Sequence, residues 1–102
     1  MQILLTGDMV AAPEALRIGL VNQVVPQAEL ISTAEAIAKK IMANGPLAVK
    51  FCIEAVNRGM EITLAEGLFL EATLFGLCCS TEDMREGTRA FIEKRAANFK
   101  GK

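Results

Sequence analysis

Whatever chemistry this 102-residue chain holds must come from its carboxylates, thiols and basic residues, because it contains no histidine, tryptophan or tyrosine. The lack of histidine excludes Ser-His-Asp and Cys-His nucleophilic sites and His-ligated metals. Glu82 and Glu86 stand four apart, the spacing that puts two carboxylates on one helix face, as acid–base or metal chemistry requires. Arg85 and Arg89 are interleaved with them, and negative charge suits a first helical turn, so a solvated, ion-paired face is the better account. Glu66 and Glu71 are five apart and do not share a face. Glu66 completes a Thr63-x-x-Glu66 capping box. Glu71 lies in an apolar stretch and is expected to pair with a lysine or arginine. No catalytic residue and no metal site is assigned.

Cys52, Cys78 and Cys79 are odd in number and lack the C-x-x-C spacing, so buried, reduced thiols of an intracellular protein are expected. No G-x-G-x-x-G or G-x-x-x-x-G-K-[ST] loop occurs. From Arg85 to Lys102, six basic residues accompany two acidic ones, a local excess of +4 in a chain of net charge −1. A basic helix end complements the helix dipole. It also suits a phosphate-bearing ligand. Phe91 and Lys94, three apart, would present an apolar and a cationic group on one helix face.

The near-balanced charge excludes a nucleic-acid partner held by bulk electrostatics. The longest uncharged run, Ile18 to Ala28, is 11 residues, short of the roughly 18–20 that a membrane span needs, so no membrane partner is expected. The start lacks a basic segment and Asp8 interrupts its apolar run, so no secretory signal is read and a cytoplasmic location is expected.

The elements that must position these residues are mostly helical. Residues 2–6 read as the last turns of a helix closed by Gly7. Ala12-Pro13-Glu14 opens a short helix that stops at Gly19, and Leu20 to Val25 reads as a short strand or extended segment. Between Gln27 and Ala43 the apolar positions follow a helical stripe. Asn44-Gly45-Pro46 ends it, with Gly45 suited to a left-handed cap and Pro46 to the first position of the next helix, which closes at Gly59. The capping box starts a helix at Leu64 whose two apolar stripes predict burial on both sides, partly between subunits. Ser80 or Thr81 then starts a final helix to about Lys94 or Arg95. The apolar residues are 52% of the chain and glycine adds eight more, above the roughly 45–50% usual for that set. The excess implies apolar surface left for another subunit or polypeptide segment to cover.

Several runs occur in a familiar order: Leu5-Thr6-Gly7-Asp8; Ala15 through Pro26 (ALRIGLVNQVVP); Glu29-Leu30; Asn44-Gly45-Pro46; Glu66-Gly67; Glu71. The ending Thr81-Glu82-Asp83-Met84-Arg85-Glu86-Gly87, Ala90-Phe91-Ile92-Glu93-Lys94-Arg95 and Phe99-Lys100-Gly101 completes the pattern. Over essentially its whole length the chain resembles the C-terminal part of the enoyl-CoA hydratase/isomerase (crotonase) family. The resemblance implies a mainly α fold: the helical C-terminal subdomain of the crotonase (ClpP/crotonase-like) fold, with five to six helices and one short extended segment. Residues 1–26 would be the tail of a core-domain helix, a short helix and the extended segment; residues 27–102 would form the trimerisation and lid subdomain. The implied parent activity is addition of water to a trans-2-enoyl-CoA, or its reverse, without metal or redox cofactor, in a homo-oligomer with a trimer favoured. The family's oxyanion-holding amides and water-activating glutamates would lie upstream of Met1, making this chain an inactive fragment on its own. By position Phe75, Phe91 and Lys94 match substrate-binding residues: two pocket-lining aromatics and a base near the CoA phosphates. Two alternatives are a self-standing helical association module and a fragment of another crotonase-fold enzyme, such as an enoyl-CoA isomerase or a dehalogenase.

Overall fold

The computed structural model describes residues 1–102, and it contains six α-helices and no β-strand. Its contacts divide into two compact units, Met1–Ala36 and Ile37–Lys102.

The first unit begins with α1 (Gln2–Thr6), which ends at Gly7 in the left-handed conformation, φ 68°, with the Gly7 N–H donating to the Ile3 carbonyl. Helix α2 (Ala12–Arg17) carries Pro13 in its first turn, where a missing N–H costs nothing. It ends in a Schellman turn. The Leu20 N–H reaches back to the Ala15 carbonyl at 2.8 Å and the Gly19 N–H to Leu16 at 3.1 Å, with Gly19 left-handed at φ 74°. Ala15 is the buried residue of this helix. The β-rich run Leu20–Val25 pairs with no strand and is irregular, because a strand needs a partner ladder and no other segment here supplies one. A 3-10 turn (Gln27–Glu29) leads into α3 (Leu30–Met42), which continues into the second unit.

In the second unit Asn44 stops α3. Its side-chain amide donates to the carbonyls of Lys40 and Ile41 at 3.0 and 3.3 Å, satisfying oxygens that the helix end leaves free. Gly45 is therefore not the left-handed stop of α3; its φ is −60° and it is instead the N-cap of α4 (Pro46–Gly59), its carbonyl accepting the Val49 N–H at 3.0 Å. Helix α4 packs along α5 (Leu64–Cys79). They approach closely where a Cβ on Gly67 would lie 3.7 Å from the Gly59 Cα. The α5 start is the expected capping box: the Glu66 N–H donates to Thr63 Oγ1 at 3.3 Å and the Thr63 N–H to Glu66 Oε2 at 3.0 Å. The two hydrogen bonds to Thr63 hold the Glu66 carboxyl below its ordinary range. Helix α6 (Glu82–Glu93) leaves α5 at a bend of 77°. No single helix is long and apolar enough to cross a membrane.

Burial is slight in each unit. The buried apolar residues are Ala15 in the first and Leu74 and Ala90 in the second, and no large side chain is fully enclosed. Helix α5 is apolar on both sides, yet within this chain only Leu74 is buried, while Leu64, Phe69 and Phe75 are 80%, 77% and 69% exposed. The thiols depart from the burial expected: Cys52 is exposed and Cys78 and Cys79 are half-buried, all three free. Thr63→Ala is expected to lower the unfolding free energy by about 1 kcal/mol. The urea midpoint should fall at unchanged m value, and Thr63→Ser should restore it.

Candidate functional site

Helix α6 and the residues after it hold most of the organised polar chemistry of the second unit. Thr81 caps α6, accepting from the Met84 N–H at 3.1 Å, and the same hydroxyl donates to the Cys78 carbonyl at 2.8 Å. Ser80 instead ends α5. With Thr81 as cap, Glu82 and Asp83 fall in the first turn, next to the exposed N–H groups they stabilise.

Asp83 is the buried charged residue of the chain. Its carboxylate accepts the Lys100 N–H at 2.6 Å and the Gly101 N–H at 2.8 Å, while its own N–H donates to the Lys102 carbonyl at 3.1 Å. One turn on, Glu86 accepts the Asn98 N–H at 2.8 Å and both outer nitrogens of Arg95 at 2.6 and 3.0 Å. Arg95 also donates through Nε to Glu93 at 2.6 Å. The segment after α6 is thus folded back along the helix and stitched to it at residues 95, 98, 100 and 101. Phe99 packs into the gap left by missing side chains: a Cβ on Gly87 would lie 3.3 Å from its ring and one on Gly45 3.7 Å.

Glu82 and Glu86 consequently do different jobs. Glu86 is a structural acceptor, and the Arg95 and Asn98 hydrogen bonds, with smaller help from the Arg95 and Arg89 charges, hold its carboxyl down at about 2. Held this way, Glu86 is poorly suited to take a proton from water near neutrality. Its partner is Arg95, nine residues on, rather than a neighbour on the helix face. Glu14, bonded twice to Arg17 at 2.6 Å, is likewise engaged, and that arginine lowers its pKa.

The three residues matched by resemblance lie on exposed surface. Phe75 is in the second half of α5, and Phe91 in the last turn of α6 is 85% exposed. Lys94 follows α6 directly. It is not on the helix face with Phe91, as the three-residue spacing suggested, because the helix ends at Glu93 and Lys94 is left-handed, φ 54°. Its N–H still returns to the Phe91 carbonyl at 3.3 Å, so the two residues share one turn. Left-handed backbone costs a residue with a Cβ about 1–2 kcal/mol. Arg85 and Arg89, with Met84, Thr88, Ile92 and the Arg95-bound Glu93, line an open groove along α6. The sequence reading places Asp83 only among the acids of a first helical turn; its hold on the tail escaped that reading, since its partners lie 17 and 18 residues away.

The family model described as enoyl-CoA hydratase/isomerase matches residues 1–102, the whole chain. The chain belongs to the enoyl-CoA hydratase/isomerase family. Among relatives in this family, it is 50% identical over 94 residues to the short-chain-enoyl-CoA hydratase of Clostridium acetobutylicum, covering 92% of this chain and 36% of that one. It is 47% identical over 98 residues to the crotonyl-CoA hydratase of Syntrophomonas wolfei, covering 96% of this chain and 38% of that one. The crystal structure of an enoyl-CoA hydratase from Bacillus anthracis superposes with a TM-score of 0.96 at 40% identity, over 99% of this chain and 39% of the other. The chain thus spans somewhat under two fifths of the relatives it matches, and its all-helical architecture is a helical part of the crotonase fold.

The tail clasp makes stability depend on acid in a definite direction. The Glu86 carboxyl is lowered from 4.5 to about 2, so its contribution is fully present above about pH 4.5 and disappears as pH falls towards about 2. The stability difference between the native chain and Glu86→Gln, from urea melts, should therefore be constant near neutrality and shrink across that interval. A difference that stays flat down to its lower end would show that Glu86 is not held as described.

Proposed function

We propose that this chain provides the acyl-CoA-facing and subunit-packing part of an enoyl-CoA hydratase acting on a trans-2-enoyl-CoA. The observation that carries this reading is the whole-length match to the family, together with the named crotonyl-CoA hydratase among its relatives. Phe75 and Phe91 are assigned to the acyl and pantetheine side of the ligand and Lys94 to its phosphates. Exposed aromatics and an exposed ammonium suit a ligand that is apolar at one end and anionic at the other.

The water-activating groups are assigned to protein outside these 102 residues. Within the chain Asp83, Glu86, Glu66 and Glu14 are each bonded to a structural partner, which leaves them poorly suited to shuttle a proton. The apolar faces of α5 and of the last turn of α6 are assigned to packing against further protein, including other subunits in a trimer. Their exposed residues form the kind of surface that such contacts cover.

Two measurements test this. The chain alone, mixed with crotonyl-CoA, should leave the enone absorbance unchanged, and light scattering after size exclusion should show association; a dilute, stable monomer would remove the packing role. A hybrid enzyme, made by replacing the matching stretch of the Syntrophomonas wolfei crotonyl-CoA hydratase with these 102 residues, should hydrate crotonyl-CoA. In that hybrid Lys94→Glu should raise KM about tenfold, equivalent to about 1.4 kcal/mol, with kcat little changed. An unchanged KM would take Lys94 out of the ligand site.

A further inference from the structure

Two helices of this chain end in the same Schellman geometry, and the residues placed in the left-handed position differ. At the end of α2 the position is Gly19, φ 74°, with no Cβ to strain. At the end of α6 it is Lys94, φ 54°, the one non-glycine residue of the chain with positive φ. The hydrogen bonds correspond: the Leu20 N–H to Ala15 and the Gly19 N–H to Leu16 in the first turn, the Arg95 N–H to Ala90 at 3.0 Å and the Lys94 N–H to Phe91 at 3.3 Å in the second. Glycine would form the second turn with less strain. The position instead carries a long side chain that is exposed and makes no hydrogen bond or ion pair within the chain.

Something must hold the strained turn, and the next residue is built to do so. The Arg95 guanidinium donates to Glu93 on one side of Lys94 and to the Ala96 carbonyl on the other, at 2.6 and 3.0 Å. It also makes a two-pronged contact with Glu86, two turns back along α6. Glu86 in turn holds the Asn98 N–H, so the chain is fixed before and after Lys94. A planar, five-donor group can make these bonds at once; a lysine cannot.

We propose that Arg95 is a positioning residue: clamped between Glu86 and Glu93, it holds the left-handed turn that presents Lys94, and it tunes affinity for the CoA ester through Lys94. This rests on the ligand role assigned to Lys94 above. Arg95 then acts on binding of ground state and transition state alike, so its loss appears in KM rather than kcat.

The test has a structural and a kinetic arm. In the full chain, the amide-to-α-proton coupling of Lys94 reports its φ by NMR; Arg95→Gln should abolish the left-handed signature. In the hybrid enzyme, Arg95→Gln should raise the KM for crotonyl-CoA about as much as Lys94→Ala, near tenfold, with kcat within about twofold. The double variant Lys94→Ala/Arg95→Gln should be no weaker than Lys94→Ala, because one residue works through the other. Should Arg95→Gln not fold, Arg95→Lys and Glu86→Gln each loosen the clamp with less damage, and each should give an intermediate KM. Additive effects in the double variant, a wild-type KM in the clamp variants, or a left-handed Lys94 that survives loss of Arg95 would overturn the positioning role while leaving the ligand role of Lys94 standing. A wild-type KM in Lys94→Ala would remove the ligand role, and the positioning role with it.

Discussion

Backbone N–H groups in an irregular segment need acceptors once they are shielded from water, and here Asp83 and Glu86 provide them. Three amides of the segment after α6 end on two carboxylates one helical turn apart. Charged acceptors make these bonds short and strong, at 2.6–2.8 Å. The geometry follows from Thr81: its cap puts Asp83 in the first turn and Glu86 in the next, both facing the returning chain. Phe99 can then settle on Gly87, and the turn at Lys94 is constrained from both directions. The polar stitching and the seat of Phe99 together set where the tail lies.

The same economy explains the surface. A chain rich in apolar residues has three buried apolar side chains, and α5 displays phenylalanines and leucines where a solvated helix carries charge. Membership of a family whose named relatives are far longer gives that surface a context. Helices that are apolar all round are stable when other protein lies against them.

Local signals were legible in the residues. Gly7 as a left-handed stop, Pro46 in a first turn, the Thr63–Glu66 box and the α6 start were all specified within four residues, the range over which side chains speak to their own backbone. Most of the errors turn on contacts of longer range. Gly45 looked like the helix stop, but Asn44 reaches the carbonyls first, and Gly45 lies against Asp83 and Phe99, which no local pattern announces. Glu86 looked like a helix-face partner of its neighbours, yet its bonds go to residues 95 and 98. The family resemblance pointed to Phe75, Phe91 and Lys94, and these are exposed, but only coordinates reveal that Lys94 has left the helix. A lysine there carries none of the glycine or asparagine signature that marks such turns.

The fit of Phe99 over Gly87 ties the histories of two distant positions together. With 3.3 Å between the ring and the place a Cβ would take, a methyl group at 87 crowds the ring, and a smaller residue at 99 would leave a void beneath the tail. Neither change is easily accepted first, whereas the two together could be. Residues 87 and 99 should therefore drift as a pair, and an epistatic link of that kind would be written into lineages descended from this sequence without either residue meeting a substrate.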